Sequence, residues 1–329
     1  MAIVVTGGAG YIGSHTAKYL AEQGLQPVVI DNLTTGHRPG LRRWPLIECD
    51  IADRDILLKV FDEYSVDSVI HFAASCYVGE SMARPSDYFR NNVTKTLSLL
   101  DTMYEAGVKN FVFSSTCATY GIPADTPITE DFPQLPVNPY GESKLFVERA
   151  LKWYGKAYGL KWVALRYFNA AGADPEGQLG ERHDPETHLI PLAILAALGA
   201  GPELSIYGSD YPTSDGSAIR DYIHVNDLAS AHLRALEYLR AGGASGSFNL
   251  GTGRGHSVFE VVKAVEAATG RPLPVRVVDR RAGDPPALVA DPRRAHDVLG
   301  WVPQHSTLDE IIATAHRWHK ANTATVVER

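Results

Sequence analysis

Cysteine is scarce in this chain of 329 residues, which contains only Cys49, Cys76 and Cys117. Their number is odd, and none of them forms a Cys-x-x-Cys pair. Neither a disulfide framework nor a zinc–cysteine site is therefore expected. Such sparing use of cysteine fits a reducing compartment, and we expect the protein to be cytoplasmic.

Long apolar and long basic runs are missing as well. No apolar stretch approaches the ~18 residues that a membrane-spanning helix requires, and no charged leader precedes the strand-like residues 3–5. Lys and Arg number 31 against 38 Asp and Glu, for a net charge of −7. This balance argues against a nucleic-acid partner. The hydrophobic fraction of 45% and charged fraction of 21% are typical of a globular protein with one large domain or two ordinary ones.

A glycine-rich turn near the start of the chain predicts a dinucleotide-binding site. Residues 2–5 have the pattern of a buried parallel strand, and a helical pattern at residues 17–21 follows the turn and is closed by Gly24. Between them stand Gly7, Gly10 and Gly13, with Gly8 as an alternative to the first. Glycines at this spacing make a tight turn and let backbone amides approach a pyrophosphate.

An acidic residue after the second strand indicates which dinucleotide binds. Residues 27–30 form an apolar strand that ends in Asp31. A carboxylate at about this distance from the glycines can accept a hydrogen bond from a ribose 2′-hydroxyl. It would also repel a 2′-phosphate, so the sequence predicts NAD rather than NADP.

The alternation of strands and helices continues and predicts the fold. We expect strands at 45–50, 67–74 and 110–115, with helices at 53–64 and 86–106. This pattern predicts an α/β fold with a doubly wound parallel Rossmann sheet. Ligands bind beyond the carboxyl ends of such strands, where the glycine turn, Asp31, Phe72 and Thr116 fall.

The segment 140–144 is the candidate for the chemistry. In a helix Tyr140 and Lys144 lie on one face, because they are four residues apart. A phenol has a pKa near ~10, and a nearby ammonium group lowers it by stabilising the phenolate. Such a pair can accept and return a substrate proton. The hydroxyl of Thr116 can bond the same substrate oxygen.

The second half of the chain is richer in loops and predicts a smaller α/β substrate domain. We expect an NAD-binding domain over 1–170, to whose sheet the chain returns near 247–250, and a substrate-binding domain over 171–329. Helices are predicted at 192–198, 258–269 and 308–319, with a frayed tail after Lys320. Arg220 and Arg281 are candidates for binding a diphosphate, since a guanidinium group matches phosphate oxygens.

No metal site is expected from the histidines. The pairs His183/His188 and His316/His319 lack acidic ligands at a suitable spacing, and we interpret them as solvated side chains.

Taken together, the glycine turn, Asp31, the segment 114–116 and the Tyr140/Lys144 pair resemble the extended short-chain dehydrogenase/reductase family, and within it the nucleotide-sugar 4-epimerases. The similarity runs from residue 3 to about residue 318 and includes the segments 78–81, 165–169, 220–225 and 280–284. It implies NAD-dependent interconversion of UDP-galactose and UDP-glucose, with hydride transfer through a 4-keto sugar. It also implies a homodimer formed through the helices at 86–106 and 140–158.

The resemblance also assigns site residues. Those implied at the cofactor are Gly7, Gly10, Tyr11, Ile12, Gly13, Asp31, Asn32, Asp50, Ile51, Phe72, Ala73, Ala74, Asn91, Tyr140, Lys144 and Phe168. Those implied at the UDP-sugar are Thr116, Tyr140, Asn169, His188, Leu189, Ser205, Ile206, Tyr207, Arg220, Arg281, Asp284 and Leu288. The implied catalytic residues are Tyr140, Lys144 and Thr116.

Four positions differ from common relatives. Thr116 stands where some have serine, Cys76 where some have a lysine that touches the cofactor, and His188 where asparagine is common. Leu288 aligns with a position that gates the substituent at sugar C2: relatives with tyrosine there exclude an N-acetyl group, and those with cysteine or serine admit it. Leucine is intermediate in volume.

Other functions are weighed against the same residues. A nucleotide-sugar 4,6-dehydratase needs an acid and a base, which relatives place directly after the threonine, and Cys117 and Ala118 supply neither. An NAD-sensing regulator can dispense with the Tyr/Lys pair that this chain keeps. The sugar itself stays open, because UDP-xylose/UDP-arabinose and UDP-N-acetylhexosamine are also substrates within the family.

Overall fold

The computed structural model describes residues 2–38, 44–281 and 283–327. Within these residues the chain forms eleven α-helices and fourteen strands. The helices are α1 (Tyr11–Glu22), α2 (Arg54–Glu63), α3 (Val78–Ala83), α4 (Pro85–Tyr88), α5 (Lys95–Glu105), α6 (Pro139–Tyr158), α7 (Leu189–Ala197), α8 (Val225–Arg240), α9 (Val258–Thr269), α10 (Arg293–Leu299) and α11 (Leu308–Val327). The strands are β1 (Ala2–Thr6), β2 (Pro27–Asp31), β3 (Leu46–Glu48), β4 (Val66–His71), β5 (Asn110–Thr116), β6 (Lys161–Tyr167), β7 (Asn169–Ala171), β8 (Leu204–Tyr207), β9 (Ile219–Arg220), β10 (Tyr222–His224), β11 (Gly246–Leu250), β12 (His256–Ser257), β13 (Val275–Val278) and β14 (Ala287–Leu288).

Seven parallel strands form the central sheet in the order β11-β6-β5-β4-β1-β2-β3. The predicted doubly wound Rossmann sheet is therefore confirmed. The strand order reverses between β1 and β4, and ligands of such sheets bind beyond the carboxyl ends at this switch point.

Apolar side chains cover both faces of this sheet. One cluster joins the strands to α2, α5 and α6 through residues such as Leu57, Leu99 and Leu151. The other joins them to α1 and α8 through residues such as Leu20 and Leu236. Each fully buried side chain of this kind contributes ~1.5–3 kcal/mol, so the sheet is a rigid base for the loops at its edge.

Three smaller sheets and a third apolar cluster make up most of the remainder. Strand β7 pairs with β10, β8 pairs with β13, and β9 lies between β12 and β14. Helices α7, α9 and α11 pack together through residues such as Ile194, Val261 and Ile312.

The chain returns to the central sheet after residue 171. Strand β11 pairs with β6, with Phe248 opposite Leu165, and α8 and α10 cover the same region. The assignment of 1–170 and 171–329 to two domains stays a prediction, and these returning segments belong with the first of them.

The structure corrects three predicted elements. The helix expected at 86–106 is present but irregular: the chain is helical from Pro85 to Glu105, and a π-helical turn at Phe89–Thr94 lies between α4 and α5. Helix α7 begins at Leu189 rather than at residue 192. Helix α11 continues to Val327 instead of fraying after Lys320. In the described part of the chain, no helix combines the length and the apolar character needed to cross a membrane.

Candidate active site

The turn after β1 leaves no room for side chains at two of its glycines. Gly7 has a φ of +68°, and a Cβ there would lie 2.5 Å from the backbone nitrogen of Ala73. A Cβ at Gly13 would overlap the carbonyl oxygen of Gly7. Helix α1 begins at Tyr11, so the free N–H groups of its first turn follow the glycines directly. This cradle fits a pyrophosphate held on backbone amides.

Asp31 ends β2 beside this cradle. Its carboxylate accepts hydrogen bonds from the backbone N–H groups of Ala9 at 3.0 Å and Leu33 at 2.8 Å. Burial raises the pKa of Asp31, and the two N–H groups act against that shift. The side chain is therefore fixed next to the glycine turn, as the sequence predicts for a ribose ligand.

We expect the nucleotide that copurifies with the protein to be NAD(H), because a carboxylate at Asp31 repels a 2′-phosphate. Heat denaturation of the purified protein and chromatography of the supernatant identify the released nucleotide. Recovery of NADP instead of NAD would contradict this role of Asp31.

The other residues implied at the cofactor lie just after strands of the sheet or on the neighbouring helices. Asp50 follows β3, accepts a hydrogen bond from Asn32 at 3.3 Å and forms an ion pair with Lys95 at 2.5 Å. The hydroxyl of Tyr11 donates to the carbonyl oxygen of Gly172 at 2.6 Å. Ile12 lies in the first turn of α1; Ile51 follows Asp50; Phe72, Ala73 and Ala74 follow β4; Asn91 lies in the π-helical turn; and Phe168 follows β6.

Tyr140 and Lys144 lie on the first turns of α6. Pro139 suits this helix start, and the side chain of Asn138 caps it by accepting from the N–H of Gly141 at 2.8 Å. The Lys144 ammonium lies 6.0 Å from the centroid of the Tyr140 ring and donates to the carbonyl oxygen of Ser114 at 2.8 Å. The predicted stacking of the two side chains on one helical face is therefore observed.

Burial dominates the protonation of this pair. It raises the pKa of the Tyr140 phenol well above its usual value, and Thr116 lowers it by less through a hydrogen bond. Burial also lowers the pKa of the Lys144 ammonium to about 8. The low phenol pKa expected from the sequence is thus not produced by the protein groups alone, since desolvation opposes both charged forms.

Thr116 is brought to Tyr140 by close packing of α6 on the end of β5. A Cβ at Gly141 would lie 2.5 Å from the carbonyl oxygen of Ala118, so only glycine permits this approach. Thr116 begins the 3₁₀ turn Cys117–Tyr120 and accepts a hydrogen bond from the N–H of Ala118 at 3.1 Å. The three implied catalytic residues are therefore brought together at the carboxyl edge of the sheet.

Sequence reasoning missed the buried ion pair that attaches α6 to this edge. The Glu148 carboxylate accepts a hydrogen bond from Nη2 of Arg166 at 2.6 Å, and both side chains are at most 5% exposed. Ser115, next to Thr116, donates to the same carboxylate at 2.6 Å. Glu148 lies eight residues after Tyr140 on the helix, but the sequence around it does not predict a buried ion pair with Arg166.

Asn92 was also missed, although its neighbour Asn91 was not. It is 2% exposed, accepts from the N–H of Ser75 at 2.8 Å and donates to Ser143 Oγ at 3.1 Å. It links the loop after β4 to α6. The irregular π-helical turn, which regular helical periodicity did not predict, places it there.

Arg220 is held in place at the end of β9. It forms an ion pair with Asp284 and donates to the carbonyl oxygens of Ile219 at 2.8 Å and Pro285 at 3.0 Å. Its donors are thus largely used within the protein, which fixes the guanidinium group. Asn169 begins β7, and its N–H donates to Asp221 at 3.0 Å.

A second arginine follows β13 and lies against Tyr207 at the end of β8. The guanidinium carbon of Arg281 stacks 3.8 Å from the centroid of the Tyr207 ring, a cation–π contact. Ser205 is half-buried on the same strand, whereas the Ile206 side chain is 1% exposed and belongs to the third apolar cluster. Ile206 can therefore reach a ligand only through its backbone. Ala282, within the segment 280–284, lies outside the described residues.

Leu288 is half-buried beside the end of β5. It pairs with Arg220 across the β14–β9 ladder and packs against the cluster that includes Cys117 and Phe168. Leu288 thus lies between Arg220, which is predicted to bind the diphosphate, and Phe168, which is predicted to contact the cofactor.

The interpretation of His183 and His188 as solvated side chains without acidic neighbours is wrong. The loop before α7 folds so that Glu181 approaches both, with Nδ1–Oε1 distances of 3.1 Å and 2.5 Å. Glu186 lies 3.7 Å and 3.5 Å from the same two histidines. The pattern Glu-x-His-x-x-Glu-x-His is visible in the sequence and could have been recognised. Leu189, the remaining predicted contact, begins α7 directly after this loop.

A doubly wound sheet with a glycine cradle, an acidic residue after β2 and a Tyr–Lys pair at its carboxyl edge defines a Rossmann-type, NAD-binding enzyme of the short-chain dehydrogenase/reductase type. Comparison with known proteins makes this assignment more specific. The model of the NAD dependent epimerase/dehydratase family matches residues 3–251, and the chain belongs to that family.

Individual relatives agree. A curated UDP-glucose 4-epimerase from Halalkalibacterium halodurans is 52% identical over 320 residues, covering 97% of this chain and 96% of that protein. The crystal structure of the Brucella ovis UDP-glucose 4-epimerase in complex with NAD is 55% identical, with a TM-score of 0.94 over 95% of this chain and 97% of that one. The Bifidobacterium longum enzyme in complex with NAD⁺ and UDP is 38% identical, with a TM-score of 0.92 over 98% and 99%.

Proposed function

We propose that this protein is an NAD-dependent UDP-hexose 4-epimerase that interconverts UDP-galactose and UDP-glucose. The observation that carries the proposal is the pairing of half-buried Tyr140 with buried Lys144 beside Thr116, next to the glycine cradle and Asp31. The whole-chain similarity to UDP-glucose 4-epimerases supports the same reaction.

NAD held by the glycine turn and Asp31 would supply a hydride acceptor and donor for sugar C4, together with the positive charge of its oxidised ring. Tyr140 accepts the proton of the 4-hydroxyl group and later gives it back. Lys144, fixed by the carbonyl oxygen of Ser114, stabilises the phenolate. Thr116 donates to the same sugar oxygen, and the burial of these groups keeps water from the exchange.

Two arginines hold the UDP end. Arg220 presents a guanidinium group already fixed by Asp284, so little side-chain entropy is lost when a phosphate oxygen binds. Arg281, stacked on Tyr207, adds a second positive charge. Anchoring through the diphosphate leaves the sugar free to present either face to Tyr140, which a 4-epimerase requires.

A nucleotide-sugar 4,6-dehydratase is the alternative on the same scaffold, and the residues after Thr116 argue against it. Burial raises the pKa of the Cys117 thiol to about 12, and Ala118 has no titratable group. Neither can act as the acid or base of a water elimination near neutral pH.

The substrate preference is tested by comparing kcat/KM for UDP-galactose, UDP-xylose and UDP-N-acetylglucosamine with one enzyme preparation. We expect UDP-galactose to be preferred. A higher value for the pentose would assign the protein to UDP-xylose/UDP-arabinose epimerisation instead.

Leu288 is expected to limit the N-acetylated sugar. Admitting a small group to an apolar pocket is worth ~1–3 kcal/mol, about 10–200-fold. Leu288→Ser should therefore raise kcat/KM for UDP-N-acetylglucosamine, relative to that for UDP-galactose, by a factor in this range.

The matched control is Val289→Ser, because the neighbouring Val289 packs toward Gly255 rather than the cluster at Phe168. In this control, kcat/KM for UDP-N-acetylglucosamine relative to that for UDP-galactose should stay at the wild-type value. Equal losses on both sugars for Leu288→Ser would show that this residue only supports the fold.

A homodimer is the assembly we propose, formed through α5 and α6. Tyr104, Phe146, Trp153 and Tyr158 on these helices are 47–68% exposed, and a groove between the helices is lined by apolar groups including Leu97 and Phe146. Large aromatic side chains grouped on one face are typical of interfaces. A second copy of the chain covers them.

With three unpaired cysteines, the protein acts in the reducing cytoplasm.

Trp153→Glu should convert this dimer to a monomer, because it places a charge in the centre of the apolar face. Analytical ultracentrifugation measures the mass. Val298→Glu, at an exposed apolar position on α10, is the control and should stay dimeric. A dimeric Trp153→Glu protein would place the interface elsewhere.

A further inference from the structure

Four potential metal ligands come together in the loop that leads into α7. Glu181, His183, Glu186 and His188 each offer one ligand atom, and all four atoms lie within 4.8 Å of one another. We propose that they form a binding site for one divalent transition-metal ion of the Zn²⁺ class. This inference stands on the loop alone and does not depend on the proposed function.

The distances match the spacing of a tetrahedral site. Ligands at about 2.0–2.2 Å from Zn²⁺ are roughly 3.3–3.6 Å from one another. Nδ1 of His183 lies 3.1 Å from Glu181 and 3.7 Å from Glu186, and Nδ1 of His188 lies 3.5 Å from Glu186. The contact of His188 with Glu181, at 2.5 Å, must lengthen, and the widest separations among the four ligand atoms, up to 4.8 Å, must shorten. Small side-chain movements therefore suffice to enclose an ion.

The chemistry of the donors favours the same ion. Imidazole and carboxylate are both ligands of Zn²⁺, and two carboxylates neutralise its charge. The Glu181 side chain is only 4% exposed, and a carboxylate at that depth needs a cation beside it. Nδ1 of His183 is buried and lies 3.1 Å from Glu181 Oε1, but the two are not oriented for a hydrogen bond and no other described residue supplies one, although buried polar atoms are nearly always paired. A metal–nitrogen bond would satisfy it.

The loop that carries these ligands is already fixed. The indole N–H of Trp318 donates to the carbonyl oxygen of Glu181 at 3.0 Å, and Gly180 packs directly against the same indole ring. Glu186 accepts from the N–H groups of Thr187 at 2.8 Å and His188 at 2.9 Å. The ligands thus need little ordering when an ion binds, which favours affinity.

The same four groups can instead be an ion-pair network without metal affinity, and a direct titration distinguishes the two. The chelator-treated protein with its nucleotide bound is titrated with Co²⁺ and then with Zn²⁺ as competitor. We expect one ion per chain, a visible spectrum of a tetrahedral nitrogen and oxygen site, and displacement by Zn²⁺. No binding, or a thiolate charge-transfer band that indicates a cysteine site, would overturn the proposal.

Variants locate the ion. His183→Ala and Glu186→Gln each remove a ligand, and each should weaken binding at least as much as the roughly 10–100-fold typical of losing an outer-shell partner. His296→Ala, which removes an exposed histidine beside Asp297, should leave affinity unchanged. Wild-type affinity in both ligand variants would refute the site. Anomalous diffraction at the zinc edge from wild-type crystals gives the same answer if a variant fails to fold: the ion lies between these four residues, or the proposal is wrong.

Discussion

Tyr140→Phe is expected to lower kcat for UDP-galactose by ~10²–10⁴, the contribution of a positioned general acid–base group. The substitution removes the hydroxyl that accepts the sugar proton and keeps the ring, so packing on α6 and bound NAD should be retained. Initial rates at saturating UDP-galactose, together with the nucleotide content of the purified variant, measure both effects.

Tyr64→Phe is the matched control. Tyr64 ends α2 just before β4, at the amino edge of the sheet, and packs against the first apolar cluster. Loss of its hydroxyl should leave kcat unchanged. Near-wild-type turnover by a folded Tyr140→Phe protein would remove Tyr140 from the reaction.

Glu148→Gln is expected to lower the free energy of unfolding by ~3–5 kcal/mol, because it leaves Arg166 as an unpaired buried charge. The wild-type carboxylate receives Arg166 and Ser115 with almost no contact with solvent. Water cannot replace either bond. Urea denaturation of the wild type and the variant measures the difference.

The comparison within the same helix is Glu142→Gln. Glu142 lies 4.0 Å from Arg149, and both side chains are largely exposed, so its removal should cost less than about 1 kcal/mol. If both variants lost the same small amount, the buried pair would not be what attaches α6 to the sheet.

The residues that could be predicted are those whose role follows from local order along the chain. Gly7, Gly13 and Asp31 belong to one strand–turn–helix–strand unit, and the i, i+4 spacing alone put Tyr140 and Lys144 on one face. The sheet followed from the alternation of apolar strands with helices. Each of these inferences uses a short segment and a known period.

The residues that were missed depend on contacts between distant segments. Glu148 meets Arg166 across 18 positions, and Asn92 reaches Ser143 across 51. The pKa of Tyr140 was misjudged for a related reason: the ammonium group was visible in the sequence, but the burial that outweighs it was not. The acidic neighbours of His183 could have been predicted, because the pattern Glu-x-His-x-x-Glu-x-His is visible in the sequence.

The most direct test of the account is to add UDP-galactose to the purified protein, without added cofactor, and follow the products by NMR. We predict UDP-glucose as the product, approached to the same final ratio from either sugar, with no net consumption of nucleotide. A 4,6-dehydrated sugar, or no conversion by protein that carries NAD, would contradict the assignment of 4-epimerase chemistry to this site.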